Sequence, residues 1–422
     1  MEPNRRDFGK LVAITGAATL FAPNIARAAA QKLVVVGGGP GGATVAKYAA
    51  KDSKGAIEVT LVEQNPLHTT CFFSNLYLGD FWDLDKLSHG YDAMRGYGVD
   101  VIHQRAKSVE TGKVTLADGS TLMADRVVVA PGIDFKFDLY EGYDEHIAAT
   151  RIPHAYKAGP QTQLLKKQIE AMPEGGTFII CPPPNPFRCP PGPYERVSMV
   201  ASMMKKKNPS GKILILDAKD KHSKMALFQE AWERHTPGMV EFVPAEFTGG
   251  GIASIDAKNM TVTTLDDETF EGDVINMIPA QKAGQIALDS GLTGDGDWAS
   301  VDPVTMESTL VKGVHVLGDA CANGDMPKSG FSANSQAKVV ANQVRAAMGH
   351  GKAFPPRFRN TCWSLLGADD GVKVGADYKS GDDKITKTEG FISQVGEDEA
   401  TRAATASEAV AWYKAISEDV WA

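Results

Sequence analysis

The chain has 422 residues, of which 43% are hydrophobic and 23% are charged, as in ordinary globular proteins. This composition excludes a disordered tail, a collagen-like rod and a low-complexity linker, and the length predicts two or three domains. A formal net charge of −8, without a concentrated basic stripe, argues against nucleic-acid binding.

The first thirty residues have the pattern of an export signal. A charged start precedes an apolar stretch at 11–23, and an Ala-x-Ala site follows at 28–30. Arg5 and Arg6 before Asp-Phe-Gly-Lys resemble the twin-arginine type of signal, which carries folded proteins, and an ordinary secretory signal is the alternative. Either signal predicts export to the periplasm. No later run of eighteen apolar residues exists, so we expect no integral membrane anchor.

A phosphate-binding loop opens the mature chain. The β-branched run at 32–36 predicts a buried strand, and Gly37, Gly39 and Gly42 after it fit the G-x-G-x-x-G pattern. These glycines permit a tight turn, close approach of a pyrophosphate and close packing of the following helix. A second strand is predicted at 57–62 and ends at Glu63, about twenty residues on, where an acid binds a ribose hydroxyl. A surface acid at a strand end is the alternative for Glu63.

Two later segments resemble the remaining parts of an FAD site. The turn Ala130-Pro131-Gly132 follows a predicted strand at 127–129, and Gly318-Asp319 follows another at 314–317. In flavoproteins with two dinucleotide domains, such segments close the FAD site and the strand-end Asp holds the ribityl chain. The chain resembles these flavoproteins over about 31–150 and 280–350, which implies that the bound dinucleotide is FAD.

The middle of the chain predicts a second Rossmann-like unit without its nucleotide loop. Strands are expected at 176–180, 212–217, 262–265 and 274–278, and a helix at 196–206. The loop at 181–195 is rich in proline where glycine is expected. Because proline lacks an N–H, this loop has few donors for a pyrophosphate. We therefore expect no NAD(P) binding and an electron donor other than a nicotinamide.

The five cysteines exclude several common sites. They are Cys71, Cys181, Cys189, Cys321 and Cys362. No Cys-x-x-Cys or Cys-x-x-Cys-His occurs, so we expect no structural zinc or other metal and no c-type haem on this chain. Export makes a disulfide plausible, and the odd count leaves at least one cysteine over. Sequence alone leaves the pairing open, and buried inert thiols are one reading of Cys181 and Cys321.

Several segments together resemble one family, the flavoprotein subunit of flavocytochrome c sulfide dehydrogenase, along the whole mature chain. They are the twin-arginine start, Thr70-Cys71, the Cys-Pro-Pro-Pro run at 181–184, Cys-Pro-Pro-Gly-Pro-Tyr-Glu at 189–195, Gly-Asp-Ala at 318–320 and Cys362-Trp363. The resemblance implies that Cys71 carries FAD through a thioether to the 8α methyl group. It also implies a redox disulfide between Cys189 and Cys362, with Glu195 as acid and base. A solvated acid at a helix start is the alternative for Glu195.

The expected fold is α/β, with two Rossmann-like dinucleotide-binding domains of the glutathione reductase type and a C-terminal α+β domain. The signal covers 1–30, the FAD domain 31–150 and 280–355, the second Rossmann-like domain 151–279, and the C-terminal domain 356–422. This last domain is expected to cover the flavin, with a strand near 371–378 and a helical tail at 407–421.

The resemblance implies an enzyme that oxidises sulfide to sulfur or polysulfide and passes electrons from FAD to a c-type cytochrome subunit in a heterodimer. A sulfide:quinone reductase-like enzyme is one alternative, and it predicts an amphipathic tail for the membrane. Glu408, Glu418 and Asp419 in the tail disfavour an anionic membrane surface. A non-catalytic exported flavoprotein is the other alternative.

Overall fold

The computed structural model describes residues 30–422, and the predicted export signal with Arg5 and Arg6 lies outside them. Within the described residues, no helix is long and apolar enough to cross a membrane.

The described residues form strands that belong to seven sheets. In chain order they are β1 (Gln31–Val36), β2 (Ile57–Val62), β3 (His68–Thr69), β4 (Ser88–His89), β5 (Val99–Ile102), β6 (Ala106–Glu110), β7 (Lys113–Leu116), β8 (Thr121–Met123), β9 (Arg126–Val129), β10 (Ile133–Phe135), β11 (Thr177–Cys181), β12 (Lys212–Leu216), β13 (Val240–Val243), β14 (Ile252–Asp256), β15 (Thr261–Thr264), β16 (Thr269–Glu271), β17 (Val274–Met277), β18 (Gln281–Ala283), β19 (Val314–Val316), β20 (Arg357–Gly367), β21 (Asp370–Ser380) and β22 (Ile385–Ile392).

The helices vary from one turn to more than six turns. In chain order they are α1 (Pro40–Ser53), α2 (Ser74–Leu78), α3 (Asp92–Gly96), α4 (Glu145–Thr150), α5 (Pro160–Glu170), α6 (Gly192–Lys207), α7 (Met225–His235), α8 (Ala245–Thr248), α9 (Gln285–Asp289), α10 (Gly330–Ala347) and α11 (Glu399–Trp421), with short 3₁₀ turns at 84–87, 137–139 and 318–320.

The first sheet has the order β19–β9–β1–β2–β5, and every neighbouring pair is parallel. The runs predicted as strands at 32–36, 57–62, 127–129 and 314–317 supply four of its five strands. Their valines and leucines are almost fully buried, as expected of a parallel sheet covered on both faces. Because the strands are parallel, the segments that follow them meet at one edge of the sheet.

The second sheet, of order β13–β12–β11–β17, is also parallel, which confirms the strands predicted at 176–180, 212–217 and 274–278. The helix predicted at 196–206 begins earlier, at Gly192. The strand predicted at 262–265 is present as β15, but it does not belong to this parallel sheet. β15 instead pairs antiparallel with β14 and β16 in a separate sheet. The connections on both sides of β15 are short hairpin turns, whereas a parallel neighbour needs a crossover of a dozen residues or more.

The C-terminal segment forms an antiparallel sheet of order β20–β21–β22, against which α11 packs. The strand predicted near 371–378 lies inside β21, and Cys362 lies within β20 opposite Val374. The tail helix begins at Glu399 rather than at 407. Asp398 caps it by accepting a hydrogen bond from the Thr401 N–H at 2.8 Å, a start signal that the sequence reading passed over.

Candidate active site

A cleft of about 530 Å³ runs along the carboxyl edge of the first sheet. Nine of the ten residues predicted to bind the cofactor line this cleft. They are Gly37, Gly39, Glu63, Cys71, Ala130, Pro131, Gly132, Gly318 and Asp319. The tenth, Gly42, lies behind the loop, where an added Cβ would stand 1.8 Å from the Gly37 carbonyl oxygen. Gly42 therefore serves the close packing of α1 on β1.

The glycine loop presents free backbone donors to the cleft. Gly37 has φ +98°, and a Cβ there would meet the Ala130 carbonyl oxygen at 2.4 Å, so only glycine fits. The first intrahelical bond of α1 runs from the Ala43 N–H to the Gly39 oxygen at 3.0 Å. The N–H groups of Gly41 and Gly42 precede that bond and have no acceptor within the helix. Such donors at a helix start suit the pyrophosphate of a dinucleotide.

Glu63 holds the glycine loop as well as lining the cleft. Its carboxylate accepts hydrogen bonds from the Gly38 N–H at 2.8 Å and from the Asn65 N–H at 2.9 Å. A carboxylate has about four acceptor positions, so capacity remains for a ribose hydroxyl.

Asp319 supplies an acceptor that the protein leaves unsatisfied. Its Oδ1 is buried and has no hydrogen-bond partner in residues 30–422, and its Oδ2 lies 4.0 Å from the Arg188 guanidinium. Burial raises the pKa of Asp319, while the charges of Arg188 and Lys328 act in the opposite direction. A buried acceptor on the cleft wall fits a hydroxyl-bearing chain such as the ribityl group of FAD.

A second, smaller cavity of about 60 Å³ adjoins the cleft. Cys71, Cys189, Cys362 and Glu195 all line it, together with aromatic side chains that include Trp363, Phe331 and Trp412. Cys71, Phe72, Arg188 and Gly330 line both spaces. A water molecule needs about 10–15 Å³ of such volume, so the cavity admits a few small molecules and excludes a bulky organic substrate.

The fold brings Cys189 and Cys362 to this cavity from distant segments. Cys189 has φ +54°, and its N–H donates to the Lys328 oxygen at 2.8 Å. The Tyr156 hydroxyl donates to the Cys189 oxygen at 3.0 Å, which fixes the loop before α6. All five cysteines are free thiols in the structure, so the Cys189–Cys362 disulfide stays a prediction.

Glu195 lies in the first turn of α6 with its carboxylate fixed on both sides. Oε2 accepts from Asn75 Nδ2 at 2.8 Å, and Oε1 accepts from the Leu365 N–H at 2.9 Å. Burial raises the pKa of Glu195, while those two hydrogen bonds and the charge of Lys224 oppose the shift. This environment differs from that of a solvated acid at a helix start.

Two basic residues close to the cavity cysteines were missed from the sequence. Arg188 lies beside Cys189 in the chain, so the cysteine itself was a signal for it. Lys224 Nζ donates to the Cys362 oxygen at 3.1 Å and to Ser364 Oγ at 2.7 Å, although 138 positions separate Lys224 from Cys362. Burial lowers the pKa of Lys224 to about 8. No local sequence pattern connects residues that distant.

The nucleotide position of the second sheet is filled by the chain itself. Asp217 follows β12, where an acid would bind a ribose, and its side chain has no solvent exposure. The Tyr194 hydroxyl donates to Asp217 Oδ2 at 2.5 Å, and Lys219 Nζ donates to Oδ1 at 2.6 Å. Lys219 also holds the proline loop by donating to the Pro183 oxygen at 2.7 Å.

Cys181 and Cys321 lie apart from the small cavity and are almost fully buried. Burial raises the pKa of both thiols, for Cys321 to about 12. High thiol pKa values fit the reading of these two residues as inert.

These features define the class of protein. The chain is an oxidoreductase of the FAD-dependent disulfide type. It has a parallel sheet with a dinucleotide cleft, a second parallel unit, and a C-terminal sheet over a cysteine cavity. The fold agrees with sulfide:quinone oxidoreductase from Aquifex aeolicus, at a TM-score of 0.72, 16% identity and 92% coverage of each chain. A ferredoxin reductase from Rhodopseudomonas palustris aligns at a TM-score of 0.61, 16% identity and 82% coverage of each chain.

Sequence comparisons narrow this class to one family. Residues 31–167 match the pyridine nucleotide-disulphide oxidoreductase model. Residues 162–279 match the central model of the flavocytochrome c sulfide dehydrogenase flavoprotein chain, and 354–421 match its flavin-binding model. A 45-residue stretch, 11% of this chain and 92% of that sequence, is 53% identical to the sulfide dehydrogenase (flavocytochrome c) flavoprotein chain of Chlorobaculum thiosulfatiphilum. The chain belongs to this family of flavoprotein chains, which confirms the predicted fold class and family.

Proposed function

We propose that this chain oxidises sulfide and delivers the electrons to a c-type cytochrome subunit. The observation that carries the proposal is the small cavity, where Cys189, Cys362 and Glu195 adjoin the dinucleotide cleft through Cys71. Family membership supports the same substrate, since the related chain from Chlorobaculum thiosulfatiphilum is called a sulfide dehydrogenase.

FAD fits the cleft by the donors and acceptors present there. The N–H groups of Gly41 and Gly42 would hold the pyrophosphate, Glu63 a ribose, and the unsatisfied Asp319 Oδ1 the ribityl chain. Cys71 borders both spaces and is the residue that we propose to carry FAD covalently. Bound FAD would accept an electron pair from the thiols and release single electrons to a haem.

The chain's own residues supply the sulfur chemistry. We propose that Cys189 and Cys362 form a disulfide, which hydrosulfide attacks to give a persulfide on one cysteine and a thiolate on the other. Glu195 handles the proton, because burial raises its pKa toward the working range of an acid and base. The product is sulfur or polysulfide.

Under this proposal, nicotinamide nucleotides do not bind at the nucleotide position of the second sheet. The prolines of the loop before α6 remove backbone donors, and Tyr194 and Lys219 occupy the Asp217 carboxylate. A ribose would have to displace a buried hydrogen bond and a buried ion pair to reach Asp217. Hydrosulfide, rather than NAD(P)H, is then the reductant.

The proposed assembly is an exported heterodimer with a c-type cytochrome. The name flavocytochrome c on the matched family models supports such a partner, and the sequence of the first thirty residues supports a periplasmic location. A quinone acceptor is the second candidate, because the fold agrees with a sulfide:quinone oxidoreductase.

One anaerobic experiment tests the function. Purified protein is mixed with sulfide, the visible flavin band is followed, and then either a c-type cytochrome or a quinone is added. We expect sulfide to bleach the flavin, NADH to leave it unchanged, and the cytochrome to restore its colour. Cys189→Ser should lose bleaching by several orders of magnitude, and Cys181→Ser should keep it. Bleaching by NADH, or recovery with quinone alone, would contradict the proposal.

A further inference from the structure

Lys224 is a buried cation close to Glu195, whose negative charge raises the lysine pKa without forming an ion pair. The residue is 5% exposed, and its ammonium donates to two neutral oxygens, the Cys362 carbonyl and the Ser364 hydroxyl. It forms no ion pair with any acid in residues 30–422. Burying a charge costs free energy unless an opposite charge or strong hydrogen bonds compensate it. Such a cation is well explained by an anion that forms beside it during the reaction.

The polar groups near the two thiols are distributed unequally. Asn360 Nδ2 lies 3.3 Å from Cys362 Sγ, and the Ser329 hydroxyl donates to Asn360 Oδ1 at 2.6 Å, which orients the amide toward the sulfur. The Asn360 hydrogen bond and the Lys224 charge lower the pKa of Cys362 against the effect of burial. Both groups favour a thiolate at Cys362.

The groups around Cys189 differ from those around Cys362. Burial raises the pKa of its thiol well above the ordinary value, and negative charge at Cys362, Glu195 and Cys71 raises it further. The charge of Lys224 lowers the pKa of Cys189 by less than any one of these three negative charges raises it. Asn360 donates to Cys362 Sγ, and no side chain donates a hydrogen bond to Cys189 Sγ within residues 30–422, so a negative charge is better compensated at Cys362.

Titratable groups that face Cys362 come from several of the elements around it. They are Lys224 before α7, Glu195 in α6, Cys189 in the loop before α6 and Tyr378 in β21. Of these four, Lys224 alone contributes positive charge. Its pKa of about 8 means that an unreacted site loses this charge as the pH rises through that value.

We propose that Lys224 and Asn360 make Cys362 the thiolate of the pair and thereby direct hydrosulfide to Cys189. The inference rests on the proposed function, because it needs the Cys189–Cys362 disulfide. A bond forms between the hydrosulfide sulfur and Cys189 Sγ, and the bond between the two cysteine sulfurs breaks. The electron pair of the broken bond stays on Cys362 Sγ, and the proton stays on the outer persulfide sulfur. The disulfide is the oxidant, and Lys224 is a positioning residue that acts through Cys362.

Thiol alkylation of the whole holoprotein tests the charge preference without turnover. The protein is reduced with dithiothreitol, freed of it, and labelled with iodoacetamide at pH values from about 6 to 10, and each cysteine peptide is quantified by mass. We expect Cys362 to react faster than Cys189. Lys224→Met should slow Cys362 labelling at neutral pH about tenfold and move its pH midpoint upward, by about one pKa unit.

Two matched variants distinguish the effect of the Lys224 charge from a general effect of losing a buried lysine. Lys224→Arg keeps the charge and should retain the wild-type profile at Cys362. Lys219→Met removes a different buried lysine of the same unit and should leave that profile unchanged. Should Lys224→Met fail to retain flavin, Asn360→Ala removes the other group and is expected to slow Cys362 labelling as well. Faster labelling of Cys189 in the wild type, or an unchanged profile in the variants at 224 and 360, overturns the inference.

The position of the persulfide distinguishes failure of this inference from failure of the proposed function. The oxidised holoprotein is mixed with sulfide, quenched rapidly with iodoacetamide and digested. One added sulfur on the Cys189 peptide supports the inference. Added sulfur on Cys362 overturns it and leaves the proposed function intact. Flavin bleaching without a persulfide on either peptide overturns the inference and the proposed persulfide step, but not sulfide oxidation by the flavoprotein. If neither flavin bleaching nor a persulfide is observed, both the inference and the proposed function are overturned.

Discussion

At the scale of single residues, Cys71 connects the dinucleotide cleft with the cysteine cavity. Its backbone is fixed, because the Ser74 hydroxyl donates to the Cys71 oxygen at 2.6 Å and the neighbouring Thr70 side chain is hydrogen-bonded to the Tyr413 hydroxyl at 3.0 Å. A thiol held at the border of both spaces suits a covalent link to a group that spans them. A purely structural thiol would not need this position.

Cys71→Ser should therefore separate covalent from non-covalent binding of the flavin. We expect acid-precipitated wild-type protein to stay yellow and to carry FAD on the Cys71 peptide, as measured by mass. The serine variant should release all its flavin to the supernatant, because a serine hydroxyl lacks the nucleophilic sulfur that a thioether link needs. Cys181→Ser, at a buried thiol outside both spaces, should keep the colour in the pellet. Free flavin in the wild-type supernatant would return Cys71 to a structural role.

At the scale of elements, the turn between β1 and α1 depends on the contact of two glycines. A Cβ on Gly42 would stand 1.8 Å from the Gly37 oxygen, and this neighbour is backbone that cannot rotate away. Moving it would shift the N–H groups that face the cleft. The same turn thus sets both the packing of α1 and the geometry of the anion site.

Gly42→Ala should lower the flavin content of purified protein by about tenfold or more, since overpacking of this kind costs about 1–3 kcal/mol. The measurement is the ratio of flavin to protein absorbance. Gly96→Ala in α3 is the control, because an added Cβ there meets no atom within 4 Å. Normal flavin content in Gly42→Ala would mean that the turn tolerates a shift of the helix.

Elements with strong local signals could be predicted from the sequence, and sites assembled from distant segments could not. The β-branched runs of β1, β9 and β11 and the glycine loop identify themselves within a few residues. The place of β15 depends on hairpin turns whose pairing partners lie on both sides of it. Lys224 reaches the Cys362 carbonyl because α7 packs near β20, a contact that no local periodicity encodes. The family resemblance named the cysteines, but it did not reveal the cation beside them.

At the scale of the whole molecule, α11 joins the C-terminal sheet to the second Rossmann-like unit through Arg402. The side chain is 1% exposed. It lies 2.8 Å from Glu230 in α7, 3.3 Å from Asp370 in β21 and 3.1 Å from Glu397 before α11. Three acids from three segments therefore share one buried cation. Removing a single partner from such a cluster leaves uncompensated buried charge.

Arg402→Met should destabilise the protein by about 3–5 kcal/mol, because methionine fills much of the volume but leaves Glu230 and Glu397 without their ion-pair partner. Asp370 keeps its contacts with Arg234 and His235. The measurement is the free energy of unfolding in urea, followed by the flavin signal. Arg359→Met is the matched control. Arg359 also pairs with a sheet carboxylate, Asp377, but its side chain is 66% exposed, so its loss should cost less than about 1 kcal/mol.

Because α11 also carries Trp412 at the cysteine cavity, we expect Arg402→Met to weaken sulfide-dependent bleaching as well. Equal stability of the two variants would show that α11 is held by its apolar contacts and not by the buried charge cluster.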